Sequence, residues 1–210
     1  NIVFEKKRVK YIKAIKNLFV ATAFFNNAAL RDHNNHFTEI LFSTPISKSG
    51  YYFGRFFGAL ILSTIPLLGI FLGFYLGAII GPAAGWIDAD RIGDFYPESF
   101  INNYLLFILP NMFFAGAITF AMASKWKSTV ISFVGTMVII ITYIISGTLI
   151  SDIDNETVAA LTDIFGMRTY DIHSKYFTPL EKNTLSVGFS GLILLNRLIW
   201  LAIGAAITIG

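Results

Sequence analysis

Cysteine is absent from this chain, and charged residues make up only 14% of its 210 positions. Without a thiol there is no disulfide framework, thiolate metal site or thiol nucleophile. With so little charge, a chain that is 55% hydrophobic and has a mean hydropathy of +0.64 does not have the composition of a water-soluble protein. The composition therefore excludes a water-soluble enzyme, a nucleic-acid-binding module and a disordered tail, and it favours a partner of another kind, the lipid bilayer.

Charged side chains are missing from three long stretches: between Arg55 and Asp88, between Glu98 and Lys125, and between Lys127 and Asp152. Each stretch exceeds the roughly 20 apolar residues that cross about 30 Å of hydrocarbon as a helix. We therefore predict an all-α, polytopic membrane protein with one transmembrane domain over residues 1–210. Spans are expected near 56–80, 100–123 and 129–150, with a fourth over 187–210.

The segment Tyr11–Leu30 is a fifth candidate span. It can cross a bilayer if Lys13 and Lys16 extend their ammonium groups to the interface while their stems stay in apolar surroundings. It can also lie along the membrane surface as an amphipathic helix. The sequence leaves both interpretations open, and about five transmembrane helices follow if the segment spans.

Basic residues in the short connections predict the orientation. The only charges of the 124–128 connection are two lysines, and three basic residues flank the 31–55 connection, which lies on the same side because two spans separate them. The positive-inside rule places both connections in the cytoplasm. The acidic 82–98 and 151–186 segments then face outside, the second as a helix over Glu156–Phe165 followed by a loop, and we expect it to form an exposed lid.

The 31–55 connection contains a short amphipathic pattern. Phe37, Ile40 and Leu41 have helical i, i+3, i+4 spacing, and Asp32, His36 and Glu39 lie on the polar side. Pro45 ends this helix, because proline disfavours the helical conformation of the residue before it. Such a helix on the cytoplasmic face can dock a soluble partner or simply rest on lipid headgroups.

Several stretches share a resemblance. They are Asn-Ala-Ala-Leu-Arg-Asp at 27–32, Glu-Ile-Leu-Phe-Ser-Thr-Pro-Ile-Ser-Lys at 39–48, Tyr-Phe-Gly-Arg-Phe-Phe-Gly-Ala at 52–59, Glu-Lys-Asn-Thr at 181–184 and Leu-Leu-Asn-Arg-Leu-Ile-Trp-Leu at 194–201. In this order they resemble the membrane subunit of type-2 ATP-binding-cassette transporters, the ABC-2 permeases. The similarity is to a Bacteroidota-like branch, some members of which are fused to an aminopeptidase domain, and it covers nearly the whole chain.

The resemblance implies a six-helix half-transporter of which this chain, a fragment, lacks the first span. A helix over 33–43 would be the coupling helix that inserts into a cytoplasmic ATP-binding-cassette ATPase subunit, with ATP and Mg²⁺ bound by that partner and no cofactor in this chain. The residues implied to form or orient the contact are Arg31, Asp32, His36, Glu39, Thr44, Pro45 and Arg55.

The resemblance further implies an exporter that pairs with a second permease half, identical or different, in the bacterial cytoplasmic (inner) membrane. The alternative is a membrane anchor of a larger enzyme, such as a peptidase fusion, or of a sensor, in which these helices transport nothing. No H-E-x-x-H, G-x-x-x-x-G-K-[ST] or G-x-S-x-G pattern occurs in the sequence. We therefore predict no enzymatic activity for this chain.

Glycines recur every fourth residue in the first long apolar run, at Gly69, Gly73, Gly77 and Gly81. Small residues at this spacing let helix backbones approach closely in lipid. We predict close helix contact here, either with a neighbour in the same subunit or at a dimer or gate interface.

Arg197 is the only charge inside the four long apolar spans. An ionisable residue at such a position is a functional candidate by default. Arg197 can act as a snorkelling anchor or structural partner, or as a substrate or gate residue. His33 and His36 could in principle ligate a metal, but a solvated polar face is the favoured interpretation, so no metal site is predicted.

Overall fold

The computed structural model describes the backbone of residues 2–93, 96–151, 156–189 and 191–209. Side chains are described for the same residues apart from 2–17, 91, 146–151 and 183. The fold is all-helical, with 82% helix and no strand in the described part of the chain. The all-α prediction is therefore confirmed.

The helices follow one another with short connections. They are α1 (Ile2–Asn34), α2 (Thr38–Phe42), α3 (Lys48–Ala83), a 3₁₀ turn (Ala89–Arg91), α4 (Pro97–Asn103), a π-helical turn (Tyr104–Ile108), α5 (Leu109–Trp126), α6 (Thr129–Ser151), α7 (Glu156–Thr162), α8 (Met167–His173), α9 (Pro179–Thr184) and α10 (Gly191–Ile209).

Three helical segments are long and apolar enough to cross a membrane. They are α3, the continuous stretch Pro97–Trp126 that joins α4 to α5, and α10. The described apolar part of α6, Thr129–Ile145, is shorter. These segments correspond to the predicted spans near 56–80, 100–123, 129–150 and 187–210, and they support a membrane protein.

Helix α5 lies at the centre of the bundle and contacts α1, α3, α6 and α10. Small residues on α5 allow this close approach: Gly116 has no side chain, and a Cβ atom there would overlap the ring of Phe25 on α1. The Phe25 ring lies 5.3 Å from the ring of Phe56 on α3, which in turn lies 5.6 Å from Phe120 on α5. This aromatic cluster joins three helices in the core.

Helix α1 packs within the bundle. Its Thr22 hydroxyl lies 2.6 Å from that of Thr136, and its Asn26 amide donates to the Thr129 hydroxyl at 3.4 Å, so α1 and α6 run antiparallel. Thr22 and Phe25 are fully buried. The described part of Tyr11–Leu30 therefore does not lie across the end of the bundle as a surface helix would, while the side chains of Lys13 and Lys16 lie outside the described residues.

The 31–55 and 124–128 connections lie at the same end of the bundle, as predicted. Asp32 and Arg55 from the first and Lys127 from the second line one small cavity, and residues 207–209 of α10 line a larger cavity beside Lys125. We call this the basic end. The opposite end holds residues 156–189, where the Asn102 amide donates to the Ser186 hydroxyl at 2.9 Å.

Candidate functional site

Residues 35–47 join α1 to α3 at the basic end, and we call them the tip. Four large apolar side chains of the tip are exposed: Phe37 by 47%, Ile40 by 61%, Phe42 by 42% and Ile46 by 43%. They lie before Lys48, the first residue of the candidate span α3. Exposed apolar side chains grouped in this way are typical of a protein or membrane contact.

The predicted helix over 33–43 is wrong in its bounds. Helix α1 continues to Asn34, and α2 begins only at Thr38. The helix breaks because His36 has a left-handed backbone, with φ of 54°. The Phe37 N–H bonds to the Asp32 carbonyl at 2.9 Å and closes the turn. Of the predicted apolar stripe, Phe37 and Ile40 are exposed and only Leu41 is half-buried.

A polar cluster holds the base of the tip. The Asp32 carboxylate at the end of α1 accepts hydrogen bonds from the Tyr51 hydroxyl and the Arg55 guanidinium at the start of α3. Arg55 also donates to the Ala28 carbonyl at 2.8 Å. The Phe42 ring packs 5.7 Å from the Tyr51 ring. Because one carboxylate binds two residues of the next long helix, α1 and α3 are tied together directly below the tip.

The structure divides the predicted contact residues into two groups. Asp32 and Arg55 are partly buried and bind each other, with side-chain exposures of 13% and 22%. They can orient the tip but offer little free surface. The others are exposed around the tip and are available to a partner: Arg31, His36, Glu39, Thr44 and Pro45.

The glycine series of α3 does not pack against its own chain over most of its length. A Cβ atom added at Gly69, Gly73 or Gly77 would meet no atom within 4 Å. At Gly81 it would lie 3.2 Å from Ile87, which follows the end of the helix. Close contact with a neighbouring helix of the same subunit is therefore not found for the first three glycines in the described part of the chain. The alternative, an interface with another molecule, remains a prediction.

Arg197 is buried, with 2% exposure, and its guanidinium is fully engaged. Nε donates to the Asn196 side-chain oxygen at 2.9 Å, one terminal nitrogen donates to the Asn111 side-chain oxygen at 2.8 Å, and the other donates to the Ile164 carbonyl at 3.1 Å. A Cβ atom at Gly166 would overlap the guanidinium. Of the interpretations left open by the sequence, this geometry favours a structural partner.

The same polar cluster binds the end of α7 to α10. The Asn196 amide donates to the carbonyls of Ala160 and Asp163 at 2.7 and 2.9 Å, and the Trp200 indole donates to the Leu161 carbonyl at 3.1 Å. The last carbonyls of a helix have no partner within it. Side chains of α10 therefore satisfy the exposed backbone of α7 and fix α7 against the span.

The expectation of an exposed lid is wrong for the middle of the 151–186 segment. Ala159, Ala160, Asp163, Ile164 and Phe165 are all buried. Helix α7 ends at Thr162, earlier than predicted, because the Asp163 carboxylate accepts from the N–H groups of Phe165 and Arg168 at 3.1 and 2.7 Å and turns the chain. Residues 152–155, directly before this helix, lie outside the described residues.

Sequence reasoning identified Arg197 but missed its partners. Asn196 is its immediate neighbour, and Asn111 is a polar residue inside an apolar run directly after Pro110. The position of these two asparagines within predicted spans could have indicated the contact, because a side-chain amide in a bilayer needs a hydrogen-bond partner. Around the histidines no group of three or more His, Asp or Glu residues able to hold a metal is found among the described residues.

Comparison with family models, with curated proteins and with solved structures finds no match to this chain. The candidate site consists of the tip, the Asp32 contacts that hold its base, and the outward-facing glycines of α3. Both features are defined by their own geometry and chemistry.

Proposed function

We propose that this chain is the membrane-spanning permease subunit of an ABC-type exporter, in which the tip couples ATP hydrolysis by a cytoplasmic ATPase subunit to transport. One observation carries the proposal. A short helix that stands outside the spans exposes Phe37, Ile40, Phe42 and Ile46 and is surrounded by charged side chains. A helix of this kind suits the groove of a soluble partner.

The support below the tip suits transmission of a movement. Because Asp32 binds two residues of α3, a displacement of the tip would move α1 and α3 together. Those two helices meet α5 through the Phe25, Phe56 and Phe120 cluster in the core. A contact between α2 and a moving ATPase domain would thereby reach the centre of the bundle.

The spans contain no acidic or histidine side chain between 56 and 80, 100 and 123, or 129 and 150. Carriers driven by protons rely on such groups within their helices. An energy source outside the membrane is therefore the better fit, and ATP bound with Mg²⁺ by the partner subunit would supply it. With α1 and α6 counted, this chain would contribute five spans of the subunit in a bacterial cytoplasmic membrane.

The second permease half would pack against the glycines of α3. Gly69, Gly73 and Gly77 share one helix face, and a Cβ atom added at any of them would meet no other atom within 4 Å in the part of the chain that the structure describes. Between helices in lipid, association depends on close van der Waals contact, which small residues permit. The dimer contact would then lie in the outer half of α3, away from the tip.

The docking role of the tip is tested by affinity purification of the full-length protein in mild detergent. We expect a nucleotide-binding subunit to co-purify. Burial of an isoleucine contributes about 1.5–3 kcal/mol, so Ile40→Asp should weaken this association by at least roughly tenfold. The matched control is Leu180→Asp on α9, which is 71% exposed at the opposite end and should retain the subunit.

Charge at the tip is tested by a second pair of variants. Glu39 and Glu98 each lie in the first turn of a helix, α2 and α4. Glu39→Lys should reduce co-purification of the ATPase, whereas Glu98→Lys should not. Repeated recovery of the protein without any nucleotide-binding partner would favour the membrane-anchor alternative.

Sidedness is tested by single-cysteine labelling, because the chain has no native cysteine. Ile40→Cys and Leu180→Cys introduce exposed thiols at opposite ends of the bundle, at sites exposed by 61% and 71%. A membrane-impermeant maleimide added to intact cells should label position 180 and leave position 40 unlabelled. Labelling of position 40 would invert the proposed orientation.

The dimer contact is tested by enlarging the glycine face. Gly73→Leu with Gly77→Leu should lower the dimeric fraction in detergent without unfolding the subunit, because a Cβ atom added at either position meets no other described atom within 4 Å. Leu72→Phe enlarges an exposed neighbour off this face and serves as the control. An unchanged dimeric fraction in the double variant would remove α3 from the interface.

A further inference from the structure

A cavity of about 920 Å³ opens at the basic end between the start of α3 and the ends of α5 and α10. Its walls include Phe53, Ile118, Met122 and Ile207, and its rim includes Lys48 and Lys125. The volume falls within the roughly 300–1,000 Å³ that is typical of sites for small organic molecules. The cavity is separate from the exposed apolar side chains of the tip.

The charge of the cavity is of one sign. Lys48 and Lys125 contribute ammonium groups, and no carboxylate lines it in the part of the chain that the structure describes. Lys125 lies over the Trp126 ring, with Nζ 5.2 Å from its centroid, and neither lysine has an acidic partner among the described residues. Two unpaired cations beside apolar walls fit a ligand with an anionic head and an apolar body.

The position of the cavity matches the level of lipid headgroups. Lysine, tryptophan and tyrosine are enriched at membrane interfaces, where the polar end of the side chain contacts water and its apolar part contacts lipid. Lys48 and Tyr52 begin one candidate span, and Lys125 and Trp126 end another. Ile118 lies about 10 Å deeper along α5, at 1.5 Å per residue. The cavity thus runs from the headgroup level into the apolar layer.

Polar groups that could bind a phosphate also line the cavity. Ser49 and Ser124, which carry hydroxyl groups, line it beside the two lysines. A hydroxyl can donate one hydrogen bond to a phosphate oxygen. Basic pockets between membrane helices on the cytoplasmic side are known to hold anionic lipid headgroups.

We propose that this cavity binds an anionic phospholipid, with its phosphate between Lys48 and Lys125 and its acyl chains along Phe53, Ile118 and Met122. The site needs the bilayer but not the ATPase, so this proposal and the proposed function can fail separately. Bound lipid would fill the space between α3, α5 and α10 directly beside the tip.

The test uses the full-length protein in mild detergent, titrated with soluble short-chain phosphatidylglycerol or phosphatidylcholine and followed by native mass spectrometry. We expect the anionic lipid to bind more tightly than the zwitterionic one. An interfacial lysine contributes about 1 kcal/mol to the binding of an anionic lipid. Lys48→Gln should therefore weaken phosphatidylglycerol binding roughly fivefold, and Lys48→Gln with Lys125→Gln should weaken it roughly thirtyfold. Lys175→Gln with Lys182→Gln removes the same charge at the opposite end and should bind normally.

A second variant tests the apolar part of the site without changing charge. Ala121 lines the cavity, and Ala121→Phe would fill part of it. This variant should also weaken phosphatidylglycerol binding. The proposal would be overturned if the unmodified protein bound the two lipids with equal affinity. It would also be overturned if the double variant at Lys48 and Lys125 bound phosphatidylglycerol as tightly as the control variant at Lys175 and Lys182. Displacement of the lipid by an equal concentration of inorganic phosphate would show a bare anion site and would overturn it as well.

Discussion

Replacement of Arg197 by methionine should destabilise the protein strongly, because two buried acceptors and one partly buried acceptor lose their donor at once. These acceptors are the side-chain oxygens of Asn111 and Asn196 and the carbonyl of Ile164. Charge-assisted hydrogen bonds contribute about 1.5–3 kcal/mol each in water-soluble proteins and roughly 0.6 kcal/mol on average between membrane helices. With about 1 kcal/mol for each acceptor, the expected loss is about 3 kcal/mol in the free energy of unfolding.

Reversible unfolding in mixed micelles by increasing mole fraction of SDS measures this loss. The control is Leu198→Ala, the next residue of α10, which is 54% exposed and should change stability by much less. Arg197→Lys keeps the positive charge but not the planar set of guanidinium donors. Its loss in the free energy of unfolding should therefore be smaller than that of Arg197→Met and larger than that of Leu198→Ala. If Arg197→Met were as stable as Leu198→Ala while the transport activity that we propose was lost, Arg197 would be a substrate or gate residue and the structural interpretation would be wrong.

Three further predictions concern other contacts. Gly166→Ala should destabilise by more than the roughly 1–2 kcal/mol cost of a left-handed residue, because φ is 70° there and the added atom would overlap Arg197; unchanged SDS unfolding would contradict this. Asp32→Ala should speed hydrogen exchange in residues 35–47, since two residues of α3 lose their common acceptor; unchanged exchange would show that the tip is held otherwise. The pKa of the Glu181 carboxyl should lie below 4.5, because the Thr178 N–H and hydroxyl donate to it. Because the pKa is lowered in the folded state, this carboxylate stabilises the protein above about pH 4.5, and its contribution is lost as the pH falls through the folded pKa. Carboxyl ¹³C titration of glutamate-labelled protein would measure the pKa. A value at or above 4.5 would refute the capping contact.

The spans could be predicted because a bilayer imposes a simple rule of length and charge. Uncharged runs between Arg55 and Asp88 or between Glu98 and Lys125 have few alternatives to a long helix. Helix ends were predicted less well. The break at His36 depends on a left-handed backbone conformation that no glycine signals, so the predicted helix over 33–43 became the end of α1 and a separate α2.

Contacts between distant residues account for most of what the sequence could not predict. Arg197 stood out as a lone charge, but its acceptors on Asn111 and Ile164 lie 86 and 33 residues away. The glycine spacing in α3 predicted close helix contact, yet periodicity does not tell whether such a face meets its own chain or another molecule. The open space around Gly73 and Gly77 is a property of the folded bundle.

Site-specific photocrosslinking at the tip tests the central claim most directly. A photoreactive phenylalanine analogue at position 40 in the full-length protein, in living cells, should form an adduct with an ATP-binding protein, because Ile40 is the most exposed apolar side chain of the tip. The same analogue at position 180, at the opposite end, should not. No adduct at position 40, or the same adduct at both positions, would contradict the docking role of the tip.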